Sequence, residues 1–478
     1  MFNNTLFKYV GIGCICLAYA ACKTPVLTGR TENKTVPASF NNSQDTVNTG
    51  TVKWSAYFTD PNLVALIDTA LKNNQELNIT LQEIEITKNE ITARKGEYLP
   101  FVGVKAGAGV EKVGRYTSQG AGDATTEIKP GKEMPDPLGD FLIGVYANWE
   151  VDIWHKLRNA KKAAVARYLS TQEGRHFVIT NLIAEIANSY FELLALDNQL
   201  EIVKKNIDIQ SNALEIVKIQ KDAARVTELA VRKFEAEVLN TKSLQYGIQQ
   251  QIVETENRIN FLLGRFPQPI ARNAQSLDSD VMPQNLQAGI PSQLLTNRPD
   301  IRQAELELAA SKLDVQVAKA QFYPSLGISA GVGYNAFSPT FLFKTPESIL
   351  YSLAGELVAP LVNRNAIKAA YMNANAKQIQ AVYNYERTIV NAYVEVANQV
   401  SKIDNLQKSY DLKSKQVEAL TQSITISNDL FRNARADYME VLLTQRDALE
   451  SKFELIETRM AQMKAKVNIY QALGGGWK

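Results

Sequence analysis

Residues 321–334 read QFYPSLGISAGVGY, and the second part of this stretch decides the fold. From Leu326 to Tyr334 every second residue is apolar, and the residues between them are glycine or serine. Alternation with a period of two predicts a β-strand. An apolar face opposite a small or polar face is typical of a barrel wall between lipid and water, and about ten residues suffice for a tilted strand to cross a bilayer. A soluble antiparallel sheet with one dry face has the same alternation, so this strand alone leaves both alternatives open.

The same order of segments occurs twice along the chain. In each half a helix-like segment leads into a strand-like stretch, and then come a second strand-like stretch, a very long helical segment, a short break and one more helix. The first half contains these segments at 63–94, 101–110, 141–149, 153–221 and a break near 223–225, and the second half at 301–320, 325–334, 349–357, 362–431 and a break near 433–435. The sequence therefore predicts two internal structural repeats.

The long helical segments explain how such a chain could form a closed structure. Apolar residues such as Ile183, Ile186 and Tyr190 recur at spacings of three and four, although Asp197 interrupts this stripe. At 1.5 Å per residue each long helix measures roughly 100 Å, which favours coiled-coil-like pairing over a globule. Four strands cannot close a barrel, because the smallest membrane barrels need about eight. Three chains would supply twelve strands, and their six long-helix hairpins would continue the wall as a helical tunnel.

The N-terminus predicts export and lipid attachment. Lys8 is the only charge before an apolar run at residues 9–21, which is too short to span a bilayer and is typical of a signal peptide at 1–21. The run ends in two alanines before Cys22, which resembles a bacterial lipobox, although Tyr19 replaces the usual leucine-like residue. All three cysteines lie within the first 22 residues, so Cys22 is interpreted as an acylation site. An ordinary secretory signal cut after Ala21 is the alternative.

The domain organisation follows from these patterns. We expect an acylated N-terminal tether at 22–61, a first structural repeat at 62–270, an equatorial connector at 271–297 and a second structural repeat at 298–478. The tether is rich in Thr, Asn, Ser and Pro and has no apolar period, which indicates an extended segment.

The charge balance and the candidate motifs give no indication of a nucleic-acid partner, a bound metal, a cofactor or an enzymatic activity. The chain has 52 Lys+Arg against 50 Asp+Glu, without the basic excess that nucleic acid requires. Its two histidines, His155 and His176, have no cysteine partners near them. The stretch 474–476 is three glycines, which we interpret as a tight C-terminal turn and not as a phosphate loop, because no helix follows it. The stretch 297–300, Asn-Arg-Pro-Asp, is interpreted as a helix start.

Several motifs together resemble a known family. They are NRPDIRQAE at 297–305, AKAQFYPSL at 318–326, NYE at 384–386, AYVEV at 392–396, DYMEVL at 437–442 and YQALGGGW at 470–477. In this order and spacing the chain resembles the TolC-like outer-membrane factors, in their NodT-type lipoprotein branch, from about Trp54 to Lys478.

The resemblance implies a mainly α fold with a small β part, in the form of a trimeric channel-tunnel. A 12-stranded β-barrel in the outer membrane, with four strands from each chain, would continue into a 12-helix α-barrel reaching about 100 Å into the periplasm. It implies a passive, gated exit duct for small molecules. The partners it implies are a periplasmic adaptor and an inner-membrane transporter of the resistance-nodulation-division class.

The functional residues are expected at the two helical hairpin tips, at about 218–228 and 428–438. The first tip contains Asp222 and Arg225, and it lacks the glycine that relatives often have there. The second tip contains Arg435 and Asp437.

The gate of the duct is expected at the second tip. Asp429 and Arg432 lie three residues apart and therefore share a helix face. The resemblance implies that an acidic ring with neighbouring arginines closes the tunnel there, and such a ring would favour cations. An ordinary exposed ion pair remains the alternative.

Three other functions remain open. A type I protein secretion duct has the same architecture with an ATP-driven partner. A structural coiled-coil surface lipoprotein would explain export and long helices, but it would not explain the paired strand segments in both halves. A periplasmic enzyme is the weakest alternative, because no arrangement of nucleophile, base and acid is recognisable.

Overall fold

The computed structural model describes residues 24–40, 45–277, 281–283, 285–433 and 435–478. The predicted signal peptide and Cys22 lie outside the described residues. The chain divides into two compact units. The strand unit contains Glu85–Leu169, Leu306–Val382 and the described residues up to Thr31, and the helical unit contains the described residues of Glu32–Ile84, Ser170–Glu305 and Tyr383–Lys478.

The elements are named in chain order. They are helices α1 Trp54–Tyr57, α2 Pro61–Asn73 and α3 Gln75–Glu97, strand β1 Phe101–Glu111, helix α4 Ser118–Asp123, strands β2 Glu127–Lys129, β3 Lys132–Glu133 and β4 Leu138–Val151, helices α5 Lys156–Asp222, α6 Glu228–Leu262, α7 Leu294–Asn297 and α8 Pro299–Ala320, strands β5 Ser325–Ala336 and β6 Ile349–Val358, and helices α9 Asn365–Arg432 and α10 Tyr438–Ala472. Short 3-10 turns lie at Thr49–Thr51, Ala274–Leu277 and Pro291–Gln293. The order helix, strand, strand, long helix, helix occurs in each half, as α3-β1-β4-α5-α6 and as α8-β5-β6-α9-α10.

The four predicted strands and the two long helices are confirmed within a few residues of their predicted ends. Two short strands, β2 and β3, and the short helix α4 lie in the first strand-to-strand loop and were not expected. The predicted helix-like segment at 63–94 is helical but divided into two helices, because α2 and α3 are separated at Asn74. The Asn74 side chain accepts from the Leu77 amide at 3.0 Å and donates to the Leu262 carbonyl at 2.9 Å. This side chain therefore caps α3 and holds the break against α6.

The strand unit is built on one antiparallel sheet with the strand order β1-β4-β5-β6. Val145 of β4 pairs with Val332 of β5, and Val332 pairs with Tyr351 of β6. Because side chains alternate along each strand, this register sorts the sheet into two faces. One face is apolar, and its members are Val102, Val104, Ala106, Ala108, Val110, Phe141, Ile143, Val145, Ala147, Trp149, Leu326, Ile328, Ala330, Val332, Tyr334, Ile349, Tyr351, Leu353, Gly355 and Leu357. We call this set the apolar sheet face.

The opposite sheet face is mixed: it carries Phe101, Leu142, Tyr146 and Leu350 beside polar and small residues, among them Lys105, Asn148, Glu150, Ser329 and Glu356. The apolar sheet face is not covered by another layer: Val104 is 75% exposed, Tyr351 81% and Leu353 80%. Each edge strand, β1 and β6, has a single strand neighbour within the described part of the chain. The sheet therefore has an exposed apolar face and two open edges.

The helical unit contains a large apolar core around the middle of its helices. Tyr57 stacks on Tyr470 with ring centroids 4.0 Å apart, and both rings are buried. The predicted stripe on α5 is confirmed, because Ile183, Ile186 and Tyr190 lie in this core. The interruption at Asp197 also has a structural reason, since its carboxylate accepts from Arg272 Nη2 at 3.0 Å. This ion pair connects the segment between α6 and α7 to α5.

In the N-terminal segment of the helical unit, the described residues before the 3-10 turn at Thr49–Thr51 form no helix or strand. Phe40 is buried and stacks on Tyr393 of α9, with centroids 5.2 Å apart. Lys34 Nζ lies 2.6 Å from a carboxylate oxygen of Glu305. These contacts, together with a hydrogen bond from the Asn33 amide to Glu386, fix the segment along α8 and α9. Among all described residues, no helix combines the length and the apolar content needed to cross a membrane.

Candidate functional site

The first hairpin tip is a tight turn between α5 and α6. The Arg225 amide donates to the Gln220 carbonyl at 2.9 Å, and the Ala224 amide donates to the Lys221 carbonyl at 2.9 Å. These two bonds form a Schellman motif, which requires a left-handed residue after the helix. Ala224 occupies that position with φ of 58°. The turn therefore lies where the sequence predicted it, and an alanine adopts the conformation that usually requires glycine.

Replacing Ala224 with glycine is expected to stabilise the first tip by about 1 kcal/mol. A left-handed conformation costs an L-residue about 1–2 kcal/mol, and glycine avoids this cost. Part of the gain is lost because glycine has more conformational freedom in the unfolded chain. Hydrogen exchange of the Arg225 amide should slow by about fivefold, which is the same free energy expressed as a rate. Ala223→Gly is the matched control. It places glycine on a neighbouring residue without positive φ and should not slow exchange. Equal effects of the two changes would contradict the account.

The second tip repeats part of this geometry between α9 and α10. The Arg435 amide donates to the Leu430 carbonyl at 2.8 Å, and the Asn433 amide donates to the Asp429 carbonyl at 3.2 Å. Ala434, between them, lies outside the described residues. Asp437 is the cap residue of α10, and its backbone carbonyl accepts from the Glu440 amide at 3.1 Å.

The two gate candidates lie on the exposed surface of α9. Arg432 Nη1 is 4.0 Å from Asp429 Oδ1, and each side chain is 64% exposed. At this distance and exposure the pair contributes little to stability in a single chain. The side chains are consequently available to other groups that approach this tip.

The other four tip residues are also exposed. Arg225, Arg432 and Asp437 line a cleft of about 370 Å³ formed by both tips, with Val226 and Phe431 as its apolar wall. Asp222 points away with an 80% exposed side chain, 3.9 Å from Lys221. Arg435 is exposed beside the cleft. The structure thus brings Arg225, Arg432 and Asp437 together, and leaves Asp222 outside this group.

Apolar packing behind the cleft holds the tips together. Val217, Phe234 and Val441 are buried in one cluster contributed by α5, α6 and α10. Next to it, Gln445 of α10 lines a cavity of about 180 Å³ and is only 1% exposed. Both polar atoms of its amide lack a hydrogen-bond partner, and the same is true of buried Gln210 on α5. Buried amides of this kind cost free energy unless they find hydrogen-bond partners.

The sequence did not predict a buried ion-pair cluster around Arg298, just before α8. Its guanidinium donates to both carboxylate oxygens of Asp300, at 3.0 and 2.7 Å, to Glu395 at 2.7 Å and to the Ala472 carbonyl at 2.9 Å. Burial disfavours the charge of Arg298, but the two carboxylates outweigh burial and raise its pKa. The helix start at Pro299 is confirmed, and the same motif also joins α8, α9 and α10. The Arg-Pro-Asp spacing was the available signal, but Glu395 is distant in sequence.

The C-terminal glycines form the predicted tight turn. Gly474 has φ of 82°, and a Cβ at this position would lie 2.5 Å from the Asn297 carbonyl oxygen. His176 stacks on Trp477 at 4.5 Å and contacts Glu173 at 3.2 Å, which is a packing role for this histidine. Within the described ranges, no three His, Cys, Asp or Glu side chains are grouped so that they could hold a metal ion.

Comparison with known proteins assigns the whole arrangement of strands and long helices to one family. The model of the outer membrane efflux protein family matches residues 66–265 and 290–475, which is most of the chain. The chain belongs to this family, whose members are channel proteins of the outer membrane.

Individual relatives cover nearly the whole chain. It is 28% identical over 426 residues to the pyoverdine export outer membrane protein OpmQ of Pseudomonas aeruginosa, covering 89% of this chain and 88% of OpmQ. It is 26% identical over 473 residues to the cation efflux system protein CusC of Escherichia coli O6:H1, covering 97% and 98%. It is 24% identical over 473 residues to the probable outer membrane lipoprotein SilC of Salmonella typhimurium, covering 98% and 97%.

Solved structures show the same fold at lower sequence identity. A membrane protein from Pseudomonas aeruginosa superimposes with a TM-score of 0.84 at 20% identity, covering 95% of this chain and 100% of that protein. The open state of the MtrE outer membrane channel of Neisseria gonorrhoeae superimposes with a TM-score of 0.82 at 23% identity, covering 95% and 99%.

Proposed function

We propose that this chain forms, as a homotrimer, the exit duct of a tripartite efflux pump, through which small molecules pass passively from the periplasm to the exterior. The observation that carries the proposal is the sheet of the strand unit, with its exposed apolar face and two open edges. A contiguous exposed apolar surface of this kind requires a partner surface or lipid. Unpaired edge strands in turn require a further strand on each side.

A trimer supplies the missing strand at each sheet edge, and its insertion in the membrane supplies lipid for the apolar sheet face. If β6 of one protomer pairs with β1 of the next, three four-stranded sheets close into a 12-stranded barrel without edges. The apolar sheet face would then contact lipid, and the face with Lys105, Glu150 and Glu356 would line the water-filled lumen. The six long-helix hairpins of the trimer would form the 12-helix tunnel. The two halves of the chain, 62–270 and 298–478, would act as structural repeats joined by an equatorial connector at 271–297.

The N-terminus is proposed to anchor the duct in the outer membrane. Residues 1–21 would be removed as a signal peptide, and Cys22 would carry the acyl chains at the start of a tether at 22–61. Full-length similarity to SilC, which is named a probable lipoprotein, supports this proposal. Mass spectrometry of the mature N-terminal peptide tests it. The acyl mass should be found on Cys22, and an unmodified residue as the mature N-terminus would refute it.

The partners are proposed to be a periplasmic adaptor and an inner-membrane transporter of the resistance-nodulation-division class. The chain itself would then need no catalytic site, because the energy source lies in the transporter. The names of the relatives OpmQ and CusC describe export of pyoverdine and of cations, which supports small cargo over polypeptides. The cargo of this chain is left open between such classes.

Deleting the gene separates the efflux proposal from a type I secretion duct. Loss of an efflux duct should lower the minimal inhibitory concentrations of several small toxic compounds and leave the set of secreted proteins unchanged. The opposite pattern, with unchanged susceptibility and a missing secreted protein, would favour the secretion duct. Complementation with the intact gene is the control, and it should restore the wild-type pattern.

The second tip is proposed to contain the gate. Threefold symmetry would bring Asp429 of each protomer towards the axis, with Arg432 beside it, so that a charged ring narrows the lumen. The exposure of both side chains supports this assignment, since their mutual distance of 4.0 Å is too long for a strong ion pair within one protomer. Arg225, Arg435, Asp222 and Asp437 would surround this ring at the two tips.

The double change Asp429→Ala with Arg432→Ala is expected to raise single-channel conductance in planar bilayers and antibiotic leak into cells, because the constriction loses its charged side chains. The matched control is Asp404→Ala with Lys408→Ala, an exposed ion pair on the same helix at 2.6 Å. Removing that pair should leave conductance unchanged. Unchanged conductance in the Asp429 and Arg432 variant would reject the gate assignment.

A further inference from the structure

The two long helices, α5 and α9, begin in the strand unit with basic and no acidic residues in their first turns. Helices α3, α6, α8 and α10 each carry an acid in the first turn, as the helix dipole favours. In contrast, α5 and α9 have none. Residues 153–169 contain five Lys and Arg and no acid, and residues 359–382 contain three Lys and Arg and no acid. Cations at a helix N-terminus are locally unfavourable, and at the start of α5 the Asp152 carboxylate offsets this by accepting from the Leu157 and Arg158 amides.

The basic residues lie directly beside the aromatic end of the sheet. Trp149 of the apolar sheet face donates from Nε1 to the Tyr98 carbonyl at 3.0 Å, and Lys161 Nζ lies 5.6 Å from the centre of the Tyr98 ring. Trp154, just before α5, stacks on Tyr323 at 4.7 Å and donates from Nε1 to the Pro324 carbonyl at 2.7 Å. At the start of α5, the apolar sheet face is therefore followed by tryptophan and tyrosine side chains and then by cationic side chains.

The start of α9 shows the same combination. Arg364 lies over the Phe322 ring at 5.0 Å, and Phe322 is the chain neighbour of Tyr323. The residues before α9, Leu361 and Val362, are strongly exposed apolar side chains. Lys368 follows one turn into the helix and is exposed. Both helix starts thus combine exposed apolar residues with cations and aromatic rings, although Phe322 at the start of α9 is buried.

Among the described residues, the cations at these two helix starts differ in how far acidic side chains balance them. Arg158 is 57% exposed and lies 3.9 Å from Asp152, whose carboxylate oxygens already accept from the Leu157 and Arg158 amides. Lys162 has no acidic partner among the described side chains. Lys156 pairs with Glu150, and Arg167 pairs with Asp314.

We infer that Arg158, Lys161, Lys162 and Lys368 form a binding surface for the anionic headgroups of phospholipids in the membrane leaflet on the helix side of the sheet. This inference rests on the proposed insertion of the sheet in the outer membrane. Aromatic residues with one polar atom prefer the membrane interface, and lysine and arginine beside them attract phosphate. Continuity with the apolar sheet face places the cations at headgroup depth.

The contacts of the N-terminal segment independently support a position of these cations at headgroup depth. Leu27 packs against the cluster of Val315, Ala318, Phe322 and Tyr371, which lies beneath Arg364. Asn375 Nδ2 donates to the Thr28 carbonyl at 3.2 Å. An acyl chain attached a few residues earlier, at Cys22, would enter the leaflet beside the cations at the two helix starts.

The test uses the full-length protein reconstituted in bilayers of phosphatidylcholine with a minority of phosphatidylglycerol, and then re-extracted in mild detergent. Bound lipid is measured by mass spectrometry. The wild type should retain phosphatidylglycerol in excess of its share of the bilayer. The variant Arg158→Gln, Lys161→Gln, Lys162→Gln should lose this excess by about tenfold or more, since each interfacial cation is worth about fivefold in affinity.

The matched control removes three exposed cations of the helical unit, Lys204→Gln, Lys402→Gln and Lys415→Gln, and should retain the lipid excess. Thermal stability in detergent should change little in the first variant, because the Arg158–Asp152 ion pair is long and its arginine is exposed, and ion pairs of this kind contribute little. Insertion without phosphatidylglycerol enrichment, or equal loss in both variants, would overturn this inference alone. Failure to insert in bilayers of any composition would overturn the proposed duct together with it.

Discussion

Replacing Arg298 with leucine is expected to lower the free energy of unfolding by about 3–5 kcal/mol, which is the usual cost of removing one partner from a buried ion pair. The Arg298 side chain is 6% exposed, and the Asp300 side chain it pairs with is 18% exposed. Without the guanidinium, the Asp300 carboxylate would remain desolvated and the Ala472 carbonyl would lose a donor. The midpoint of thermal unfolding in detergent measures the effect.

Two further variants show whether the charge is the cause. The double change Arg298→Leu with Asp300→Asn should recover most of the loss, because no unpaired charge stays buried and asparagine can still accept from the Ile301 amide. Arg446→Leu removes an exposed arginine that lies 3.4 Å from Asp447 and should change stability by less than about 0.5 kcal/mol. If the double variant were as unstable as Arg298→Leu, packing and not charge would explain the effect.

Replacing Val332 with arginine is expected to cost about 2–4 kcal/mol for each protomer, because a cation near the bilayer midplane loses its hydration. Val332 lies in the middle of β5 on the apolar sheet face and is 58% exposed in the single chain. In a protein surrounded by water this change would be nearly neutral. The measurement is the fraction of protein recovered in the outer-membrane fraction as a folded oligomer.

The control places the same arginine on the opposite sheet face. Ser329 lies on the same strand, its side chain points to the other face, and it is exposed. Ser329→Arg should therefore leave membrane recovery close to that of the wild type, since the lumen is proposed to contain water. Equal recovery of the Val332 and Ser329 variants would contradict the assignment of the apolar sheet face to lipid.

The parts of the fold that depend on local pattern could be predicted from the sequence. Strand β5 and helix α5 follow from alternation and from spacings of three and four, because burial imposes those periods on any chain. The break at Asn74 could not be predicted, since the Asn74 amide is held by the Leu262 carbonyl, 188 residues away in sequence. Strands β2 and β3 lie in a loop whose residues have no clear period.

The candidate site could be located along the chain, but its geometry could not. The order of helices indicated both tips, whereas the left-handed conformation of Ala224 has no signal in its residue type, because alanine usually occupies helices. Arg298 and Glu395 come together only through the packing of α8 against α9. Asp197 interrupted the predicted apolar stripe, and its partner Arg272 lies in an irregular segment.

The central claim is that three copies of this chain share one barrel, and the mass of the detergent-extracted protein tests it most directly. Size exclusion with light scattering should give a protein mass of roughly 150 kDa in the outer-membrane fraction, because three chains of 53.1 kDa each lose a short leader. This result would support a closed barrel of twelve strands. A monomer that is soluble without detergent would contradict it, because its exposed apolar sheet face and its two open edges would then have no partner.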